Sequence, residues 1–423
     1  MKKSTRGISG MLSQLGPGLI WAMMAIGQTH IILATYSGSR FAFSLLWIVV
    51  LAHLLSYPVF EYGPRYSAAT GESLVDAYVR LPRGKNVLLV YFAILLATLP
   101  FLGSASLLSV SASVLYAGMP LISYNLWCVV IACFTVALVF AGRYKGLELA
   151  CLVMSALLLL GTVAAFCYKL PKPADVVSGA IIPLIPAGSL VTLVALMRMP
   201  TDAPASILHS LWALKKRDAW MQEGGLQAGI RKSLLDLRVG FALSLVIAIF
   251  FVSVGATVLH PRGVNLEGVH LAMKLSQVYT ETVGPWTFPL FIAVAFFTLW
   301  GSYYVTTDGA PRLAEQFLNA MLRKKSSSEL SGFRVIYTLV IVLGGLLLAT
   351  IVQEPLFLII LAVSTGFIAY PIIYMLNIWA VTKLVDKEFR PSRLNLALAC
   401  VGVVYSLVGA AMLLLVRVFK VWS

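Results

Sequence analysis

The sequence predicts an all-α integral membrane protein, and three observations support this fold class. Hydrophobic residues make up 60% of the chain and charged residues only 12%, a balance that no soluble domain needs for its core. Eleven apolar runs have about the 18 or more residues that a helix needs to cross a bilayer. Lys and Arg concentrate in the loops between these runs, so the net charge of +15 reflects membrane topology and does not indicate a nucleic acid partner.

The predicted spans are residues 15–36, 42–64, 87–116, 119–141, 147–168, 183–214, 233–259, 285–321, 333–352, 355–382 and 394–417. Basic loops alternate with charge-poor ones such as residues 116–125 and 352–355. Because basic loops stay in the cytoplasm, we expect a cytoplasmic N-terminus and, after an odd number of spans, an extracytoplasmic C-terminus. A retained first span without a longer targeting segment favours a bacterial inner membrane.

The first span carries polar residues near its middle. Gly27, Gln28, Thr29 and His30 interrupt the apolar stretch of residues 15–40. Polar groups at this depth are costly unless they face the bundle interior or a wet cavity, and irregular backbone is tolerated only there. The pattern predicts a broken helix beside a midplane substrate site. The alternative is an intact helix whose Gln28 and His30 bond to neighbouring helices.

The sixth span carries a second interruption. Pro200 and Pro204 flank Thr201 and Asp202 inside an otherwise apolar run, and each proline removes a backbone donor and clashes with the preceding turn. Spans one to five and six to ten have opposite predicted orientations, as an inverted repeat of five helices requires. Interruptions at corresponding positions of two such halves are the strongest sequence indication of a transporter site.

These features divide the chain into four predicted parts. Residues 1–14 are a cytoplasmic N-terminus, residues 15–182 the first repeat, residues 183–390 the second repeat, and residues 391–423 an added eleventh helix with the C-terminus. The sequence has no phosphate-binding loop and no His-Glu-x-x-His motif. It therefore predicts neither an ATP-driven pump nor an enzyme, and no cofactor. The five cysteines lie in apolar spans without metal-ligand spacing.

Several motifs resemble the Nramp family of transporters. The segments GPGL at residues 16–19, GSRF at 38–41 and SLLW at 44–47 match the opening of that family without a gap. Met199-Pro200 stands where the sixth helix of the family carries its Met-Pro pair. The resemblance implies secondary transport by alternating access, with the five-plus-five architecture of the amino acid, polyamine and cation transporter superfamily and one added helix.

The metal-binding motifs of that family are altered here. The family's Asp-Pro-Gly-Asn in the first helix is replaced by Gly27-Gln28-Thr29-His30, and its Met-Pro-His-Asn in the sixth by Met199-Pro200-Thr201-Asp202. No cysteine or further acid accompanies these segments, and a lone thioether is a poor metal site. For a metal ion, the resemblance implies a reduced ligand set of Asp202, Met199 and Gln28.

Two charged residues of the sixth span determine which ions the site attracts. A carboxylate near the bilayer midplane, here Asp202, is by default a functional residue, unless it pairs with Arg198 four positions earlier. If Arg198 faces the cavity instead, the site becomes positive, and half-helix N-termini add further N–H donors that suit a small oxyanion. The predicted substrate-binding residues are Gly27, Gln28, Thr29, His30, Arg198, Met199, Thr201 and Asp202.

Three further residues are candidates for gating or coupling. Asp308 and Arg312 in the eighth span are one helical turn apart, which predicts a structural ion pair near the cytoplasmic end or a gating element. His209 in the sixth span belongs to a His-Ser pair that the Nramp family has three residues earlier. We therefore expect His209 to take part in gating or coupling.

The sequence leaves three functions open. The first is transport of a small inorganic anion such as bicarbonate, because the transition-metal ligands are missing. The second is proton-coupled transport of a divalent metal ion, Mn²⁺ or Mg²⁺, of which Mg²⁺ keeps several waters and needs few protein ligands. The third is a non-transporting membrane sensor that retains the fold. For either transporter, H⁺ or Na⁺ is the expected coupling ion.

Overall fold

The computed structural model of the chain describes residues 27–81, 85–141, 145–222, 224–322 and 331–419. These residues form helices and contain no β-strand. Each of the predicted spans contains a helix, and eight helices in the described ranges are long and apolar enough to cross a membrane. The other three spans are the first, described only from Gly27 onward, the fifth, whose helix is described with its side chains only over Leu157–Tyr168, and the interrupted sixth.

The first five spans come from the first half of the chain. The described part of the first is a π-helical segment, Thr29–Ala34, that continues as the helix Thr35–Phe41; the next four are Leu46–Thr70, Lys85–Gly118, Tyr124–Ala141 and Lys145–Tyr168. Short helices follow the second span, at Leu74–Val79, and the fifth, at Pro173–Ile181.

The second half begins with an interrupted span made of Leu190–Leu196 and Pro204–Met221. The seventh span is Gly225–Val254, prolonged by a π-helical turn, Gly255–Leu259, and a 3₁₀ turn, His260–Arg262. The connecting helix Leu271–Thr280 comes next, and then spans eight and nine, Thr287–Leu322 and Gly332–Val352. The tenth span joins Pro355–Gly366, Phe367–Ala369 and Tyr370–Lys383, and a turn at Lys387–Phe389 leads to the eleventh, Arg393–Phe419.

Local sequence signals set several helix ends. The Ser73 hydroxyl accepts from the Asp76 amide while the Asp76 carboxylate accepts from the Ser73 amide, a capping box that begins Leu74–Val79. Pro204 occupies the first turn of its helix, where a missing N–H costs nothing. Gly71 ends the second span with φ 75°, a left-handed conformation that glycine adopts readily.

The first and seventh spans cross at two glycines. A Cβ on Gly38 would lie 2.1 Å from the carbonyl oxygen of Val252, and a Cβ on Gly255 would lie 2.3 Å from that of Thr35. Small residues allow such close backbone approach in membrane bundles. The crossing therefore holds the described part of the first span directly against the seventh.

The eleventh span is attached to the second through polar contacts at one end. Arg65 Nε donates to Glu61 Oε1 at 3.0 Å, and Arg65 Nη1 donates to the Phe389 carbonyl at 2.8 Å. Asn395 Nδ2 donates to the other carboxylate oxygen of Glu61 at 3.2 Å. Farther along, the hydroxyl of Tyr405 donates to the Met197 carbonyl at 3.0 Å. The added helix thus reaches the interruption of the sixth span.

Candidate functional site

The interruption of the sixth span lies where the prolines predict it. The first helix ends at Leu196, residues 197–203 are not helical, and the second helix begins at Pro204. Neither proline has an N–H to offer an upstream carbonyl. The unwound segment therefore exposes carbonyl oxygens that need donors from elsewhere in the bundle.

Two tyrosines supply those donors. The Tyr370 hydroxyl lies within hydrogen-bonding distance of the Arg198 carbonyl, at 2.7 Å, and of the Thr201 carbonyl. The Tyr405 hydroxyl donates to the Met197 carbonyl. The unwound backbone is thus held by side chains from the tenth and eleventh spans. The one hydroxyl hydrogen of Tyr370 can donate fully to only one of its two carbonyls at a time.

Arg198 and Asp202 form an ion pair across the interruption. The two side chains differ in exposure: the arginine is 8% exposed and the aspartate 38%. Gly366 of the tenth span lies against them, because a Cβ there would be 3.3 Å from the guanidinium and 3.4 Å from Asp202 Oδ1. The carboxylate is therefore the more exposed member of the pair.

A cavity of about 160 Å³ opens beside this ion pair, between spans one, three, six, eight and ten. Its walls are mainly apolar, and its polar side chains belong to Gln28, Arg198, Asp202 and Thr306. One end is lined by Phe92 and Phe317, whose rings stack with their centroids 4.1 Å apart. An apolar cavity with a few convergent polar groups is typical of small-ligand sites.

Gln28 is the first-span residue that lines this cavity. Its side-chain oxygen is buried and accepts no hydrogen bond from the described residues. A buried amide oxygen without a donor costs free energy. The Gln28 oxygen is therefore ready to accept from, or to coordinate, whatever occupies the cavity.

His30 lies away from the cavity lining and joins a buried hydrogen-bond chain. Its Nε2 is 2.8 Å from the hydroxyl of Ser244, which is 3.0 Å from His53 Nε2. His53 Nδ1 is 2.8 Å from the Val49 carbonyl and must donate there, so in neutral His53 the Nε2 accepts from Ser244. Ser244 in turn accepts from His30 Nε2–H. The chain connects the first, second and seventh spans.

The remaining predicted residues lie around the cavity without lining it. Thr29 Oγ1 is 3.1 Å from His30 Nδ1, and Met199, Thr201 and His209 are buried. Asp308 and Arg312 form an ion pair with two contacts of 2.8 Å. Two neighbours of Asp308 on the same helix, Thr306 and Gly309, do line the cavity. Gly27 is the first described residue of the chain and does not line the cavity.

Sequence reasoning missed the residues that complete this site. His53 lies in an apolar span and carries the same signal that identified His30. Tyr370 is 172 positions from Arg198, and a tyrosine or glycine in a span has no distinguishing signal of its own. The missed residues are His53, Ser244, Gly366, Tyr370 and Tyr405.

Among the described residues, no group of three or more His, Cys, Asp or Glu side chains is placed to hold a metal ion. The cavity offers one carboxylate, one amide and one hydroxyl. Their oxygen atoms suit a hard cation, but these three groups do not complete a coordination shell of protein ligands. A cation in this cavity would keep part of its water shell.

A helical bundle with an interrupted span beside a mid-bundle cavity defines a membrane transport protein. The chain belongs to the Nramp family, because the family model described as natural resistance-associated macrophage protein-like matches residues 18–416. That match covers nearly the whole chain and confirms the resemblance carried by the short motifs.

Curated relatives cover most or part of the chain. An uncharacterized protein of Pasteurella multocida is 29% identical over 402 residues, which are 92% of this chain and 89% of that protein. The divalent metal cation transporter MntH of Chromohalobacter salexigens is 27% identical over 259 residues, 59% of this chain and 57% of the relative. MntH of Bacillus subtilis is 22% identical over 294 residues, 68% of this chain and 66% of the relative.

Solved structures share the fold. The manganese transporter of Eremococcus coleocola, in complex with an aromatic bis-isothiourea substituted compound, matches with a TM-score of 0.73 at 14% identity, over 100% of this chain and 91% of that one. The inward-facing conformation of Mhp1 matches with a TM-score of 0.60 at 15% identity, over 95% and 90% of the two chains. These matches confirm the all-helical inverted-repeat fold.

Proposed function

We propose that this chain is a secondary transporter that carries a divalent metal cation by alternating access. Two curated relatives that span more than half of it are named divalent metal cation transporters. A structure with the same fold is a manganese transporter. Mn²⁺ or Mg²⁺ is thus the proposed cargo, and H⁺ or Na⁺ the proposed coupling ion.

The observation that carries this proposal is the difference in exposure within the central ion pair. The Asp202 side chain is 38% exposed and Arg198 only 8%. Both side chains line the cavity, and the carboxylate presents the larger exposed fraction to a cation there. An anion bound to the guanidinium would lie beside that carboxylate, against like-charge repulsion. The relatives likewise give no support to the bicarbonate prediction.

The ligand set favours an ion that arrives partly hydrated. Asp202 supplies a carboxylate oxygen and Gln28 an amide oxygen, both at the cavity. The Met199 thioether, the third member of the reduced ligand set, is buried outside the cavity lining. Mg²⁺ and Mn²⁺ accept oxygen ligands, and Mg²⁺ in particular retains waters. We propose that two side-chain oxygens and several waters hold the cargo.

Uptake into proteoliposomes tests this function. With the wild-type chain we expect saturable Mn²⁺ or Mg²⁺ uptake, and Asp202→Asn should lower it by roughly tenfold or more because a charge-assisted contact is lost. The matched control is Glu281→Gln, which removes an exposed carboxylate outside the cavity lining. Saturable bicarbonate uptake that divalent cations do not inhibit would support the anion alternative. No flux of either ion would support a sensor.

A further inference from the structure

We propose that Arg198 is a tethered cation that neutralises Asp202 while the cavity is empty and that the transported cation displaces. The inference rests on the proposed function, since it assumes a cationic cargo at Asp202. It assigns a role to Arg198, whose positive charge makes it unsuitable as a ligand for a cation. In the empty site, the guanidinium pairs with the carboxylate that the cargo needs as a ligand.

The unwound backbone gives the pair its geometry. A four-residue spacing brings two side chains together on a continuous helix, but here residues 197–203 are not helical. The pair instead depends on the path of the unwound segment, where Tyr370 binds the carbonyls of Arg198 and Thr201. The main chain on both sides of the pair is therefore fixed from the tenth span, and the ion pair is built into the interruption.

The tenth span also leaves room for this pair. Gly366 lies where a Cβ would approach the Arg198 guanidinium at 3.3 Å and Asp202 Oδ1 at 3.4 Å. Any larger side chain at this position would press on both charged groups at once. The glycine therefore leaves the space that the guanidinium and the carboxylate occupy at the edge of the cavity.

This arrangement has an energetic consequence for the empty carrier. An unpaired carboxylate in a low-dielectric interior is costly, and removing the partner of a buried pair destabilises a protein strongly. With Arg198 in place, the empty site is close to neutral and can reorient without bringing an unpaired charge across the membrane. The Gln28 oxygen lines the same cavity and accepts no hydrogen bond from the described residues. When a cation displaces the guanidinium, this oxygen can accept the guanidinium N–H.

The test is Mn²⁺ binding to the full chain purified in detergent, measured by isothermal titration calorimetry. Removing the tethered cation in Arg198→Gln should tighten Mn²⁺ binding by roughly tenfold or more, because the ion no longer competes with a fixed charge. Arg198→Lys keeps the charge but loses the planar guanidinium, so its affinity should fall between those of Arg198→Gln and the wild type. Arg262→Gln, at an exposed ion pair with Glu281, should leave the affinity unchanged.

The order of affinities decides the inference. If Arg198→Gln proves unstable, the comparison of Arg198→Lys with the wild type decides it, because the charge is retained. Equal or weaker Mn²⁺ binding in the folded variants would overturn the tethered-cation role while leaving cation transport intact. If the wild-type chain transports no divalent cation but Arg198→Gln gains Mn²⁺ binding, the tethered-cation role stands and the proposed cargo fails. Absence of binding in every variant would overturn both.

Discussion

A single hydroxyl, that of Tyr370, contacts two carbonyls of the unwound backbone in the interruption of the sixth span. In Tyr370→Phe, the carbonyls of Arg198 and Thr201 lose their common donor, and a buried acceptor left without a donor costs about 1–3 kcal/mol. We expect a lower thermal unfolding temperature together with weaker Mn²⁺ binding, because the backbone that positions the Asp202 carboxylate is no longer held. Differential scanning fluorimetry and calorimetry measure the two effects.

The control for this variant is Tyr124→Phe. The Tyr124 hydroxyl also contacts a buried backbone carbonyl, that of Ser109, at 3.3 Å, and neither residue lines the cavity. It should lower the unfolding temperature without changing Mn²⁺ affinity. If both variants lose stability equally and neither changes Mn²⁺ affinity, Tyr370 acts on stability alone.

Individual site residues were predictable only where the chain is locally unusual. Two prolines around an acid inside an apolar run identify Asp202, and a polar patch in the first span identifies Gln28. The ion pair of Asp202 with Arg198 was one of two readings of the sequence, and only the fold decides between them. The exposure of each partner depends on Gly366 and Tyr370, which are distant in sequence and chemically ordinary, so no local pattern could reveal it.

The crossing of the first and seventh spans is an element-scale feature with a direct test. Gly38→Ala places a methyl group 2.1 Å from the Val252 carbonyl oxygen, so the two helices must separate. Overpacking of this kind costs about 1–3 kcal/mol and occasionally more. We expect a clear drop in thermal stability, measured by fluorescence-detected size-exclusion chromatography after heating. Gly332→Ala, where a Cβ meets no atom within 4 Å, should behave like the wild type, and equal stability of both variants would show that the crossing tolerates a methyl group.

The elements themselves were largely predictable, and their internal irregularities only in part. Apolar length locates each span because the bilayer requires it, and the missing proline donors locate the break in the sixth. The π-helical segment Thr29–Ala34 has no comparable sequence signal. The direction of His30 depends on Ser244 of the seventh span, and helix pairing is a property of the assembled bundle.

At the scale of the molecule, the two-repeat fold followed from one symmetry argument. An odd number of spans per repeat inverts the second repeat, and the predicted interruptions then fall at corresponding positions. The structure describes the interruption of the sixth span, while the part of the first span before Gly27 lies outside the described residues. The family and structural matches confirm this fold. The repeat boundaries at residues 15–182 and 183–390 stay a proposal, as does placement in a bacterial inner membrane. The cargo was not predictable from the sequence, because the altered motifs lack the family's metal ligands, from which a metal ion could have been inferred.

The orientation of the whole bundle remains a prediction, and its physical basis is the asymmetry of basic loops. The segment between the tenth and eleventh spans carries Lys383, Lys387, Arg390 and Arg393, which the positive-inside rule retains in the cytoplasm. A reporter fused after Lys387 should therefore be cytoplasmic, and one fused after Ser423 extracytoplasmic. We expect fluorescence from green fluorescent protein only at the first position and alkaline phosphatase activity only at the second. The reverse pattern would place the N-terminus outside and turn the cavity end at Phe92 and Phe317 away from the cytoplasm, since these residues lie near the predicted cytoplasmic ends of the third and eighth spans.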